Sequence, residues 1–108
     1  MNGSLEIREY TENDRSPFGD WFDDLDKVTA DRVNMYIRRL EAGNFGAAKP
    51  LQDGVFEVRM DFGPGYRVYY GRDGRTLIIL LGGGSKRRQD ADIAAAVERW
   101  KRYKQTRA

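Results

Sequence analysis

Three glycines, Gly82, Gly83 and Gly84, separate the most apolar run of the chain, TLIILL, from a block of cations, Lys86, Arg87 and Arg88. Two more arginines, Arg59 and Arg67, stand upstream in the alternating segments VFEVRMDF and YRVYY. Such residues suit a phosphate, because a guanidinium stays charged and offers paired N–H donors to two oxygens at once. The chain has no histidine and no cysteine. Imidazole acid–base catalysis, thiolate chemistry and metal sites built on those ligands are therefore excluded, and no cofactor or metal is expected.

The elements that would position these cations follow from periodicity. LEIREYT predicts a strand over residues 5–11. Ser16 reads as an N-cap with Pro17 at the first helical position, followed by the apolar stripe Phe18, Trp21, Phe22 and Leu25. Thr29 can cap a second helix with the stripe Val33, Tyr36, Ile37 and Leu40, stopped by Gly43. AGNFGAAKPLQDG reads as a loop. GVFEVRMDF alternates as a strand, GPG turns the chain, YRVYY returns, and Asp73-Gly74 signals a two-residue hairpin before TLIILL. A last helix begins near Asp90 with the stripe Ile93, Val97 and Trp100, and carries cations toward its C-terminus.

Register decides which side chains share a face. A two-residue turn at Asp73-Gly74 pairs Arg72 with Arg75, Tyr70 with Leu77 and Val68 with Ile79. A three-residue turn at Gly63-Pro64-Gly65 pairs Phe62 with Tyr66, Met60 with Val68 and Arg59 with Tyr69. One face then holds Phe56, Val58, Met60, Phe62, Tyr66, Val68, Tyr70, Leu77, Ile79 and Leu81 as the core. The other holds Glu57, Arg59, Asp61, Arg67 and Tyr69, with Ile78 and Leu80, and is expected to lie exposed. The glycines would turn the backbone sharply and deliver Lys86, Arg87 and Arg88 beside Arg59 and Arg67. The competing reading is a plain loop, a solvated charge run, and an Arg59 that ion-pairs with Glu57 or Asp61.

At 108 residues the chain is read as one domain, residues 1–108, able to bury roughly two-thirds of its unfolded surface. Residues 1–27 hold three basic and eight acidic side chains, a net of −5; residues 86–108 hold eight basic and three acidic, a net of +5. A basic rear suits a polyanion such as nucleic acid, and equally a solvated helix. The opening MNGSLEIREY has no apolar h-region, and no segment is long enough to cross a membrane, so a cytoplasmic location is expected.

The segments SPFGDWFDDL, RLEAGNFG, GVFEVRMDFGPGYRVYY, LLGGGSKRRQDADIAAA and ERWKRY resemble the RelE/ParE superfamily of bacterial toxins, in the phage-type HigB-like branch of addiction module killer proteins. The resemblance implies an α+β domain of β-α-α-β-β-β-α order. It implies a mainly antiparallel sheet of about four strands, with the two N-terminal helices packed on one face. It also implies a type II toxin–antitoxin pair, with a helix-turn-helix antitoxin as partner. Many relatives are ribosome-dependent endoribonucleases that cut mRNA; the alternative is a ParE-like, non-enzymatic inhibitor of DNA gyrase. Ser85 stands where many relatives carry an acid, and Asp92 and Ile93 where several nucleases carry a tyrosine.

Metal-free RNA cleavage lets the 2′-hydroxyl attack its own phosphate. It needs a base on that hydroxyl, positive charge on the phosphorane and an acid on the leaving oxygen. Arg59 and Arg67 suit the phosphorane, with Arg87 as a second cation. Lys86 is the first candidate proton carrier, with Glu57 and Tyr69 next. Tyr69 also suits base stacking. Arg88, Arg99, Lys101, Arg102 and Lys104 are the expected RNA-binding cations.

Overall fold

The computed structural model describes residues 4–107. Its elements are β1 (Glu6–Glu9), α1 (Pro17–Asp23), α2 (Lys27–Glu41), β2 (Ala48–Pro50), β3 (Val55–Arg59), β4 (Arg67–Asp73), β5 (Leu77–Gly84), a 3-10 turn (Lys86–Arg88) and α3 (Gln89–Arg107). The sheet order is β1-β5-β4-β3-β2, with β1 parallel to β5 and every other pairing antiparallel. The α+β class and the two N-terminal helices on one face are as expected. The sheet has five strands rather than four, because the segment read as a loop forms β2 against Val58, Glu57 and Phe56. Three residues broken by proline carry too little alternation to signal a strand.

Local chemistry starts the helices. The Ser16 hydroxyl accepts from the Gly19 N–H at 2.8 Å, and Pro17 opens α1. Asp26, not Thr29, occupies the N-cap of α2, and Thr29 lies inside the first turn, where its hydroxyl holds the Asp26 carboxyl below its usual range. A carboxylate there complements the positive end of the helix. Gly43, at φ +85°, follows the end of α2 in the left-handed region.

Helices cover both faces of the sheet. On one face, α1 and α2 set Phe18, Val33, Ile37 and Leu40 onto Val58, Met60, Val68, Tyr70, Ile78 and Leu80. On the other, α3 sets Ala96 and Trp100 onto Val55, Tyr69, Ile79 and Leu81, with Tyr10 alongside. The expected division into a core face and an exposed face is therefore wrong: the second face is a second core.

Two hairpin registers explain the difference. Asp73 pairs with Leu77 and Tyr70 with Leu80, so Gly74, Arg75 and Thr76 make a three-residue loop in place of the two-residue turn. This three-residue slip moves Ile78 and Leu80 to the α1/α2 face and sends Ile79 and Leu81 to the α3 face. Between β3 and β4, Arg59 pairs with Arg67 and Val58 with Val68, a slip of two residues from expectation. An even slip preserves the alternation, so Glu57, Arg59, Arg67 and Tyr69 do share one face.

The three glycines are strand, not a turn. They pair with Tyr69, Val68 and Arg67 across a bulge beside Tyr69 and Tyr70. Their use is close approach. A Cβ on Gly83 would run into the Trp21 ring of α1, and a Cβ on Gly84 would collide with the Asp92 carboxylate of α3. The end of β5 is thus the thin point of the sheet, where a helix rests on each face. Gly83→Ala is expected to lose about 2 kcal/mol, the typical penalty of overpacking. A urea midpoint equal to wild type would show that α1 has slack at this point.

Candidate functional site

Arg59, Arg67 and Gly84 lie side by side across β3, β4 and β5, and the 3-10 turn Lys86–Arg88 follows at once. The Lys86 N–H donates to the Pro64 carbonyl at 3.3 Å, which seats the cation block on the β3–β4 loop. The structure therefore brings Arg59, Arg67 and Lys86 to one end of the sheet. The side chains of Arg59, Lys86 and Arg87 are exposed and have no ion-pair or hydrogen-bond partner among the described residues. The cross-strand ion pair weighed for Arg59 is not formed. Arg88 is exposed beside them, and its charge reaches Asp92.

The other three candidates are buried. Glu57, Arg67 and Tyr69 are 0%, 1% and 1% exposed under the first turns of α3. Arg67 Nε lies 3.6 Å from Glu57 Oε1, and Arg67 Nη1 donates to the Gly65 carbonyl at 2.7 Å. Gln89 Nε2 donates to Glu57 Oε1 at 2.8 Å. Glu57 Oε2, Arg67 Nε, the Tyr69 hydroxyl and Asp92 Oδ2 remain buried without a hydrogen-bond partner. Burial pushes the Tyr69 hydroxyl far up, and the Glu57 and Asp92 carboxylates push it further against the pull of Arg67. Burial also raises the Asp92 carboxyl against the opposing charges of Arg88 and Arg99.

The remaining cations lie along α3. Arg99 Nη1 donates to the Leu81 carbonyl at 2.9 Å, and Arg102 pairs with Glu12 at 3.0 Å. Lys101 pairs with Glu98 at 3.5 Å, and the Lys104 ammonium sits 5.7 Å from the Trp100 ring centroid. The helix runs from the Lys86 end of the sheet to the far end, where the Tyr103 hydroxyl donates to Asp73 at 2.6 Å. The arrangement does not gather these four with the cation block. Gln89 and Asp92 close the buried cluster and escaped the sequence reading, since Gln89 meets Glu57 across 32 positions and no periodicity carries that contact.

Among known proteins, residues 20–103 match the family model of phage-derived protein Gp49-like (DUF891). An uncharacterized protein of Haemophilus influenzae is 46% identical over 80 residues, covering 73% of this chain and 81% of that protein. A double mutant of the E. coli toxin RelE in the free state superposes with a TM-score of 0.64 at 16% identity, over 92% of this chain and 98% of that one. The likeness defines the fold class as RelE-like. Within that class, the chain belongs to the phage-derived Gp49-like family.

Burial separates the candidate residues by what their loss should do to the fold. Arg67→Ala strands the Glu57 carboxylate in the interior and is expected to cost about 3 kcal/mol or more. Arg59→Ala and Lys86→Ala remove exposed side chains and should stay within about 0.5 kcal/mol. Urea denaturation of the three variants checks this, and equal losses would contradict the burial of the pair. The exposed face expected from the sequence would have made all three changes cheap.

Tyr69 supplies a pH test. Its folded-state pKa lies above the unfolded value near 10, and that of Tyr70 is pushed up by burial to about 12. Above pH 10 the unfolded chain loses these protons first, so stability present below pH 10 falls as pH rises. Tyr69→Phe is expected to shallow that fall. At pH 7 it should be neutral or stabilising, because it removes a buried hydroxyl with no partner. Chemical unfolding at pH 7, 10 and 11 reads both effects; a clear loss of stability at pH 7 would mean the hydroxyl is bonded after all.

Proposed function

We propose that the protein is the toxin of a type II toxin–antitoxin pair and acts in the cytoplasm as an endonuclease on ribosome-bound mRNA, held inactive by a helix-turn-helix antitoxin. The observation that carries the reading is the row of exposed, unpaired cations, Arg59, Lys86 and Arg87, at one end of a RelE-type sheet. Elsewhere on the surface, Arg8, Arg15, Lys27, Arg38, Lys101, Arg102 and Arg107 are neutralised by carboxylates. Cations without protein partners, held on a rigid strand end, suit a ligand that brings its own negative charge.

The roles divide by accessibility. Arg59 and Arg87 hold the phosphate and meet the negative charge that grows on its oxygens as the 2′-hydroxyl attacks. Lys86 is the proton carrier within reach of substrate. Arg67 acts from behind: buried against Glu57, which balances its charge, it fixes the strand end without touching the phosphate. Glu57 is enclosed and bonded to Gln89, which removes it from the list of accessible bases. With so little general-base equipment, the ribosome must supply much of the substrate alignment.

Expression without antitoxin is expected to stop methionine incorporation before thymidine incorporation, with mRNA cut inside coding regions. Arg59→Ala and Lys86→Ala should each lower cleavage on the order of a hundredfold while the protein stays folded. Lys86→Arg keeps the charge and raises the pKa, so full activity in that variant would assign Lys86 to phosphate binding alone. Purified protein should cut naked RNA poorly. Collapse of thymidine incorporation first, with intact mRNA, would replace this reading with gyrase inhibition.

A further inference from the structure

A groove of about 570 Å³ opens at the β2 edge of the sheet, lined among others by Tyr36, Arg39, Asn44, Lys49, Arg59 and Asp61. It carries three cations against one carboxylate. Lys49 is exposed and has no side-chain partner among the described residues. Arg39 has no carboxylate either; its guanidinium lies 4.9 Å from the Tyr36 ring centroid and its Nη2 is 3.7 Å from Met35 Sδ. That stacking holds the guanidinium in one place while leaving its charge uncompensated. The neighbouring arginine on α2, Arg38, is by contrast tied to Glu41 at 2.9 Å. Asn44 Oδ1 accepts from the Gly46 N–H at 3.0 Å, which braces the loop that forms the groove wall.

Lys49 pairs with Glu57, and Arg59 follows two residues after Glu57, so alternation puts Lys49 and Arg59 on the same sheet face. Arg59 pairs with Arg67, which pairs with Gly84, and the cation block begins two residues beyond. One line of positive charge therefore crosses the sheet from Lys86 over Arg59 to Lys49, then turns over the β2 edge to Arg39. From β5 to β2 it crosses three strand spacings, about 14 Å. At about 3.4 Å per stacked nucleotide this is the reach of roughly four nucleotides.

We propose that this groove is a second binding segment for single-stranded RNA, in which Lys49 and Arg39 hold phosphates next to those gripped at Arg59 and Lys86. The inference rests on the mRNA reading of the sheet-end cations and extends it to a named exit path. Lys49 and Arg39 here are binding residues and take no part in bond breaking. The segment makes affinity depend on RNA length: a fragment that fills only the Lys86–Arg59 end should bind more weakly than one that also fills the groove.

The test uses the full-length protein and fluorescein-labelled, 2′-O-methylated RNAs of three and eight nucleotides, with binding read by anisotropy across a salt series. The wild type is expected to bind the longer RNA about tenfold more tightly. Arg39→Ala/Lys49→Ala should abolish most of that difference. It should also reduce the slope of log affinity against log salt by about 1.4, two contacts at about 0.7 each. Arg8→Ala/Arg75→Ala, which removes as much charge from the opposite end of the sheet, should change neither. The same length dependence and slope in the Arg39→Ala/Lys49→Ala variant would overturn the groove assignment. So would competition by an oligoglutamate of matched charge as effective as that by RNA, which would make the groove a site for an acidic protein. Cleavage of ribosome-bound mRNA is measured in parallel: its absence in the wild type would sink the enzymatic reading, while the length dependence would judge the groove separately.

Discussion

The architecture turns on a steric constraint: two helices must touch the same few residues of β5 from opposite sides. Trp21 of α1 lies on Gly83 and Asp92 of α3 lies on Gly84, and neither contact leaves room for a side chain. Because α3 is seated there, its first residue, Gln89, reaches down to Glu57, and Glu57 faces Arg67. Because the chain leaves β5 at that point, Lys86, Arg87 and Arg88 emerge beside the β3–β4 loop rather than farther along the helix. Seating of α3, burial of the Glu57–Arg67 pair and placement of the cation block are thus one geometric event.

The charges sort accordingly. A buried ion pair is poor evidence of stabilisation by itself, since desolvation offsets much of the attraction. What the Glu57–Arg67 pair does provide is position. It fixes the β4 strand end from behind, and Arg67 Nη1 also holds the Gly65 carbonyl of the loop that supports Lys86. The exposed cations in front are left uncompensated, with Arg59 and Lys86 lacking partners among the described residues, while Glu6, Asp20, Asp31 and Glu41 pair with cations elsewhere. The ion pairs formed by the acidic front of the sequence, Glu6–Arg8, Asp20–Arg15 and Glu12–Arg102, involve none of these sheet-end cations. Four buried polar atoms without partners under α3 mark the region where packing has been compromised, which is where a functional site is expected to disturb an otherwise satisfied fold.

Much of this was legible in the sequence where the signal is local. Ser16 and Pro17 start α1 as their chemistry demands, and the alternation of β3 and β4 correctly groups Glu57, Arg59, Arg67 and Tyr69 on one face. The errors come from turns and from depth. Asp73-Gly74 invited a two-residue hairpin, yet the chain uses three residues, and that odd slip exchanged the faces of the β5 side chains. Charged and tyrosine side chains at alternate positions look like a solvated face, and only the packing of α3, invisible to periodicity, buries Glu57, Arg67 and Tyr69. The glycine run looked like flexible backbone because a sequence shows what a residue permits, not which neighbour requires its small size. Lys49 and Arg39 carried no signal, being single cations in a short edge strand and on the outer side of a helix.

Burial also narrows the chemistry under the proposed function. A base must reach the 2′-hydroxyl, directly or through one water. Glu57 is fully enclosed and already accepts from Gln89, and the Tyr69 hydroxyl is held un-ionised by its surroundings, so neither meets that condition while α3 is seated. Lys86 does, from an exposed turn pinned by its own backbone to Pro64. Under that reading the labour divides: the buried residues set the position of the rim, and the rim meets substrate. A protein so equipped gains rate mainly from where it holds the phosphate. That makes the alignment of the RNA strand, more than the strength of any one side chain as a base, the property on which the proposed activity would depend.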